Sequence, residues 1–402
     1  MKYTLLSELY YKSKSSYEST YQDRFSSQHT VHLNFKVKNY PAFFVCTPEI
    51  YTILTDILRT NQAVVNLCHV LPGAATHQFA RRCLIDEIVL TNSIEGVIST
   101  RKEIGDILDD LEAKSKSTRF YGLVQKYAML MTKETLSLKS CQDIRDIYDE
   151  LVLEEVIAEE PQNAPDGKYF RKDSVSVYNA AQKEIHRGLY PETAIIDAME
   201  KALSFLNEDS CDVLFRIAIF HYLLGYIHPF YDGNGRLSRF ICSYLLSQEL
   251  EAVTGYRLAF TIKESLKEYF GAFLICNNPL NRGDLTPFLK MFLSIIQKSV
   301  EKLKESLQEG FIRLNRCRNQ ISLAMTQGDQ KLEMLYDLFI QAALFSEFGV
   351  STETVLRYAN MTRATLARKL EQIPKSLLIK EKHGRVNYYS LNIDELEQSP
   401  QI

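Results

Sequence analysis

The chain has 402 residues, 24% of them charged, and a formal net charge of −3. That is long enough for two or three domains with real cores, and the near balance of charge makes no global case for nucleic-acid or membrane binding. Eight scattered cysteines without a close pair fit neither a zinc framework nor a disulfide scaffold and suit a reducing cytoplasm. No run of about 18 apolar residues could span a bilayer, and the opening Met1-Lys2-Tyr3-Thr4-Leu5-Leu6 lacks the apolar core of a signal peptide.

With 11 Pro, 16 Gly and no Trp, and apolar residues recurring at helical spacing, the chain reads as mainly α. Residues 1–115 form an N-terminal helical region. Its clearest element is Gln78–Ile98, where Phe79, Cys83, Leu84, Ile88 and Leu90 mark one face. Residues 116–290 form a core. Within it Asp166–His186 is the best extended candidate, because Tyr169 to Tyr178 alternates and carries aromatic and β-branched residues. Val213–Tyr226 is apolar nearly all round, which predicts a buried helix. Pro229 should end that helix near His228, and a second helix should run from about Gly235 to Leu250.

Residues 291–330 form a connecting helix, within an amphipathic stretch from Pro287 to Gly328. Ile296, Val300, Leu303 and Leu307 follow a 4-3-4 spacing, a seam packed within the protein or, as the lesser alternative, between two copies in a homodimer. Residues 331–402 form a small appended domain. Ser351–Ala359, a break at Asn360-Met361 and Thr362–Ile373 suggest helix-turn-helix, with Thr362 capping the second helix. Two strand-like runs follow within Leu377–Leu391, around His383-Gly384-Arg385.

The segment from His228 to Arg239 reads His-Pro-Phe-Tyr-Asp-Gly-Asn-Gly-Arg-Leu-Ser-Arg. Gly233-Asn234-Gly235 lies between two helices, and glycines there let consecutive amides form an anion nest. The next helix begins at the nest and adds free N–H donors and a positive dipole end. Arg236 and Arg239, three apart, should project from one face and suit phosphates. Asp232 supplies a hard oxygen for Mg²⁺ beside phosphate oxygens. His228 is the natural base for an attacking hydroxyl. Gly-Asn-Gly alone is commonly just a turn; its conjunction with a His, an Asp and two spaced arginines is what points to chemistry. His221, one heptad earlier, reads as a structural histidine.

The segment resembles the motif of the Fic family (filamentation induced by cAMP), His-x-Phe-x-Asp/Glu-Gly-Asn-Gly-Arg-x-x-Arg, at every defined position, and the resemblance extends over about 80–300. It implies a helical bundle with a β-hairpin flap, the Tyr169–Val177 region, that docks the target. It also implies transfer of AMP from ATP, with Mg²⁺, to a Ser, Thr or Tyr hydroxyl of a protein, including the chain itself. In that reading His228 is the base and Asp232 the metal ligand. Gly233, Asn234 and Gly235 grip the α- and β-phosphates, Arg236 binds phosphate and Arg239 the γ-phosphate. Tyr269-Phe270 and Asn277 resemble the adenine-contacting element, with Phe270 in place of the commoner Tyr.

Thr91-Asn92-Ser93-Ile94-Glu95-Gly96 resembles the family's inhibitory motif. It implies that Glu95, presented by a helix, pairs with Arg239 and takes the partner that the γ-phosphate needs. The C-terminal region resembles a winged helix. Residues 351–390 carry eight Lys and Arg against three acids, so Arg363, Arg368 and Lys369 could meet DNA; a protein-interaction module is the alternative. The expectation is thus an autoinhibited, cytoplasmic, Mg²⁺-dependent protein adenylyltransferase. A site used for AMP removal or another nucleotide, and an ATP-sensing DNA-binding regulator, are the alternatives.

Overall fold

A computed structural model describes residues 3–111, 119–132, 134–178, 184–324, 329–383 and 386–398. The protein is mainly helical. The chain divides into two compact units, Met1–Asn61 with Leu84–Glu301, and Gln62–Cys83 with Lys302–Ile402. These bounds differ from the sequence segments. Residues 84–111 group with the core because side chains of one helix in that stretch bond directly to core elements.

The chain opens with α1 (Leu6–Lys12) and α2 (Lys14–Phe25), then an antiparallel hairpin of β1 (Thr30–Val37) and β2 (Tyr40–Val45), whose Ala42, Phe43 and Phe44 are fully buried. Helices α3 (Pro48–Val70), α4 (Gly73–Ile94), α5 (Arg101–Asp110), α6 (Tyr121–Thr132) and α7 (Cys141–Tyr148) follow. A π-helical turn, Asp149–Leu153, leads into α8 (Glu154–Glu159). Then come the two-stranded hairpin β3 (Ser176–Tyr178) and β4 (Glu184–Arg187) and helix α9 (Glu192–Asn207).

The centre of the first unit is α10 (Val213–Ile227), with α9 and α11 (Asn234–Glu249) packed on it. Twelve of the fifteen α10 residues are buried, as expected of a helix apolar on every side. It stops at His228, which takes a left-handed conformation (φ 53°, ψ 64°). That conformation costs a side-chain-bearing residue about 1–2 kcal/mol, so other contacts must hold it. Helices α12 (Leu258–Glu264), α13 (Leu266–Asn277) and α14 (Thr286–Ala324) complete the sequence of long elements. Ile296, Val300, Leu303 and Leu307 on α14 are all fully buried, which places the 4-3-4 seam inside the protein.

In the second unit, α15 (Gln330–Phe345) precedes β5 (Val350–Ser351), α16 (Thr352–Tyr358), α17 (Arg363–Leu370), β6 (Leu378–His383), β7 (Val386–Leu391) and α18 (Ile393–Gln398). The strands form one antiparallel sheet in the order β5-β7-β6. Thr362 caps α17 as expected, its side chain accepting from the Thr365 N–H. Residues 384 and 385, at the centre of the predicted turn, lie outside the described residues.

One expectation needs correction. The alternating run from Tyr169 to Val175 is not a strand; only Ser176–Tyr178 is. The amides of Lys168, Tyr169 and Phe170 donate to the Glu192 carboxylate at 3.0, 2.8 and 3.0 Å, and the Arg171 N–H donates to the Pro229 carbonyl at 3.2 Å. Donors bound in this way are not available to a ladder. Among the described residues no helix is long and apolar enough to cross a membrane.

The loop between α10 and α11 is held by apolar stacking. Phe230 is fully buried, stacks on Tyr148 at 3.6 Å with the planes 7° apart, and meets Phe170 edge-on at 5.5 Å. Such pairs add to the large burial of the rings themselves. Phe230→Ala should lower unfolding stability by about 3–5 kcal/mol. Chemical denaturation checks it, and a loss below about 1 kcal/mol would show that the loop does not depend on this stack.

Candidate functional site

The α10–α11 loop is closed by its own side chains. Asn234 accepts from the Phe230 N–H through Oδ1 and donates to the Phe230 carbonyl through Nδ2, both at 2.9 Å. Gly233 has φ +76°, and a methyl group there would come within 2.9 Å of Val152 and 3.2 Å of Tyr148. It therefore needs glycine for both its backbone angle and its space. Asp232 accepts from the Gly233 N–H through Oδ1 at 2.5 Å. The first amides of α11 lie beyond this turn and lack partners within the helix.

The two arginines, expected on one face, take separate partners. Arg236 is buried and donates through Nη1 to Glu155 of α8 at 2.7 Å. Its Nε has no hydrogen-bond partner among the described residues. Burial raises the Glu155 carboxyl above its usual range, and the Arg236 charge opposes that rise. Arg239, 1% exposed, turns to α4 instead. Its Nε donates to Thr91 Oγ1 at 2.7 Å, and its Nη2 donates to the Thr91 carbonyl at 3.1 Å and to Glu95 Oε1 at 2.6 Å.

Glu95 reaches that position because α4 ends there. Gly96 has φ +78°; its N–H bonds the Ser93 carbonyl, and the Val97 N–H bonds the Asn92 carbonyl at 3.0 Å. This pair of bonds is the Schellman closure of a helix, which favours glycine at the position that Gly96 occupies. The Glu-Gly dipeptide thus puts a carboxylate on the last turn of α4. The helix stops four residues short of the predicted Ile98 for the same reason. Its negative end is compensated by Lys263 of α12, whose Nζ donates to the Ser93 carbonyl at 3.2 Å and to Ser93 Oγ at 3.0 Å.

The Glu95 carboxylate also lies against the nest: a methyl group on Gly235 would overlap it. An anion therefore already occupies the space beside Gly235, at the positive end of α11.

Tyr269 and Asn277, expected near adenine, are buried in the core. The Tyr269 hydroxyl hydrogen-bonds His221 Nε2 at 2.7 Å, and Cys242 Sγ lies 3.2 Å from His221 Nδ1. Burial, and then the nearby Arg239 charge, pushes the His221 imidazole down to about 3, so it is neutral and structural. Asn277, at the end of α13, accepts from the Tyr222 hydroxyl at 2.7 Å, and its Nδ2 is 3.4 Å from His186 Nδ1. Phe270 is 46% exposed. Among the described residues no three His, Cys, Asp or Glu side chains gather as metal ligands. Asp232, a half-exposed hard-oxygen donor, suits Mg²⁺ in the way that ion is usually held, by one or two carboxylates with substrate phosphates and water.

The His228 imidazole is pushed down to about 3, by burial first and then by the charges of His186 and Arg171; a hydrogen bond to the Gly225 carbonyl opposes the shift. It is therefore neutral at physiological pH and able to accept a proton.

Residues 138–246 match the family model described as the Fic/DOC family. Those residues form a domain of the Fic/DOC type. The chain is 25% identical over 234 residues to protein adenylyltransferase Fic of Drosophila ananassae, spanning 57% of this chain and 43% of that protein. It is 25% identical over 136 residues to protein adenylyltransferase fic-1 of Caenorhabditis briggsae, spanning 32% of this chain and 25% of that protein. The chain spans less than half the length of these relatives. A crystal structure of a Fic family protein from Desulfovibrio desulfuricans superposes with a TM-score of 0.50 at 17% identity, covering 87% of this chain and 97% of that one. At that identity the likeness is one of fold.

Several residues at or around the site were not singled out in the sequence: Arg171, His186, Glu155, Lys263 and Glu87. Only Glu87 left a signal, because Glu87, Thr91 and Glu95 recur at spacing four on α4. Glu87 is fully buried; its two oxygens accept from the Ala259 N–H at 2.9 and 2.7 Å, and one also from Ser243 Oγ at 3.1 Å. Burial raises its carboxyl to about 7, against the pull of these donors and of Arg239. A raised folded value means that the folded state holds the proton more tightly than the unfolded chain. The resulting stability is complete below about pH 4.5 and is lost as pH rises through about 7. Wild type should therefore lose on the order of 3 kcal/mol relative to Glu87→Gln between pH 5 and 8. Unfolding measured across that range checks it; parallel profiles for the two proteins would rule it out.

Proposed function

We propose that this site transfers AMP from ATP to a hydroxyl of a protein, and that Glu95 holds the site off. The observation that carries the proposal is the Glu95 carboxylate bound to Arg239 at 2.6 Å and seated against Gly235, among the groups that would receive phosphates.

Gly233, Asn234 and Gly235, and Arg236, whose Nε has no partner among the described residues, are assigned to the α- and β-phosphates; the Gly233 N–H would exchange its Asp232 acceptor for phosphate. Arg239 is assigned to the γ-phosphate once Glu95 withdraws. Asp232 would hold Mg²⁺, which supplies charge neutralisation on the phosphates when bound. Tyr269 and Asn277 are assigned to the adenine side of the site. Because Tyr269 is already bonded to His221, and Asn277 to Tyr222, they act there as walls whose orientation is fixed from behind.

His228 takes the proton of the target hydroxyl on the ring nitrogen not bound to Gly225. The hydroxyl oxygen attacks the α-phosphorus in line, the bond from that phosphorus to the bridging oxygen breaks, and pyrophosphate leaves with the bond's electron pair. The AMP ester stays on the protein. Little covalent work falls to the chain; it positions the reactants and stabilises charge. The relatives named protein adenylyltransferases support this reading. So does the position of His228 at the end of α10, directly before the α10–α11 loop.

With Glu95 in place, ATP either cannot seat its γ-phosphate or seats with its α-phosphate displaced, and a displacement of about 1 Å can cost on the order of 10²-fold in rate. Glu95→Gly should raise AMP incorporation from α-labelled ATP by about that factor. His228→Ala in the same background should lower it by roughly 10²–10⁴-fold. If Glu95→Gly incorporates no more label than wild type, Glu95 is not the brake.

A further inference from the structure

Arg171 carries a permanent charge and is fully buried. Among the described residues its guanidinium bonds no carboxylate. Its N–H groups go to main-chain carbonyls: Nε and Nη2 donate to the His228 oxygen at 3.0 and 2.7 Å, Nη2 also donates to the Leu189 oxygen at 2.9 Å, and Nη1 donates to the Asp173 oxygen. Burying a charge without an opposite one is costly. A methionine of similar volume could fill the space without that cost, so packing alone does not account for an arginine.

What the charge provides is convergence. Two of its donors close on one carbonyl, that of the residue whose backbone takes the left-handed conformation at the end of α10. The main chain on either side of the β3–β4 hairpin is drawn to the same point. The Arg171 N–H binds the Pro229 carbonyl at 3.2 Å, the Leu189 N–H binds the Ile227 carbonyl at 3.1 Å, and the Gly188 N–H binds the Val175 carbonyl at 3.0 Å. There is no room for a side chain at Gly188, where a methyl group would overlap the guanidinium and press on His228 Cβ.

We propose that Arg171 is a positioning residue for AMP transfer: by clasping the His228, Leu189 and Asp173 carbonyls it fixes the base and both ends of the hairpin as one unit. The hairpin and the imidazole then keep one spacing, so a target held by the first presents its hydroxyl to the second. A planar fork is required, because one ammonium cannot span three carbonyls in fixed directions.

This rests on the AMP-transfer reading, and two measurements keep the two apart. In the Glu95→Gly background, Arg171→Lys should lower kcat by about 10–100-fold while the KM for ATP stays within about twofold, since the nucleotide contacts are untouched. Arg171→Met should lose at least as much. Unchanged kcat in the folded Arg171→Lys protein, or an equal change in ATP KM, would overturn the proposal. Independently of turnover, the imidazole ¹⁵N–¹H resonances of His228 should move in Arg171→Lys while those of His221 stay in place; unmoved His228 resonances also overturn it. If Glu95→Gly alone incorporates no AMP, the transferase reading falls, and the imidazole resonances decide the positioning role by themselves. If Arg171→Met fails to fold, the lysine variant carries the test.

Discussion

The Arg239 guanidinium is 1% exposed and permanently charged, and much of the geometry of the first unit follows from how it meets an anion. Its partners come from a helix some 150 residues earlier in the chain. The Thr91 hydroxyl and carbonyl take two N–H directions and the Glu95 carboxylate takes a third. Dipoles favour the meeting. The last turn of α4 is a negative end carrying an added carboxylate, and the first turn of α11 is a positive end with an arginine one turn further on. The join is therefore complementary in charge before any single contact is counted.

The same contact explains why a small residue lies at 235. The Glu95 oxygens approach the backbone at Gly235 so closely that no Cβ would fit. An oxyanion of any origin, carboxylate or phosphate, would make use of the same space. On the proposed mechanism, activation exchanges one anion for another, and Arg239 need not pass through a state in which its charge is buried alone. The balance between the two states is then set by the difference between two anion complexes. Stripping a buried ion of all partners would cost several kcal/mol. A brake built in this way can be firm and still yield to a ligand.

Much of this was legible locally. Pro229 ends α10 where expected, the glycines mark the turn, and the His228–Arg239 segment contains its chemistry within twelve residues. Glu95 was singled out by its resemblance to a motif, whereas the helix end was not, because apolar spacing continues to Ile98 and only the Schellman closure at Gly96 stops the helix at Ile94. What sequence periodicity missed was decided by distant partners. Alternation from Tyr169 to Val175 imitates a strand, but Glu192, more than twenty residues on, captures the amides. Arg236 and Arg239 lie three apart, yet Glu155 draws one away and Thr91 and Glu95 the other. Arg171 falls within the same alternating run, and nothing local shows that its guanidinium reaches the His228 carbonyl.

Helix α4 is fastened unevenly, and on the proposed mechanism the gradient bears on how Glu95 could move. Glu87 and Thr91 are fully buried, each bonded to groups of α11 or α12, whereas the Glu95 side chain is 32% exposed. The helix is thus anchored two turns back and opens towards solvent at its tip. Fraying is cheapest in a last turn, where bonds are few and water is near. The tip is also where Lys263 and the Gly96 closure act, on Ser93 and Asn92. On the proposed mechanism, release of Glu95 requires only the final turn to loosen, with the anchor at Glu87 and the fold around it unchanged. A control element that moves one carboxylate without disturbing the helix behind it can be reset when the nucleotide leaves.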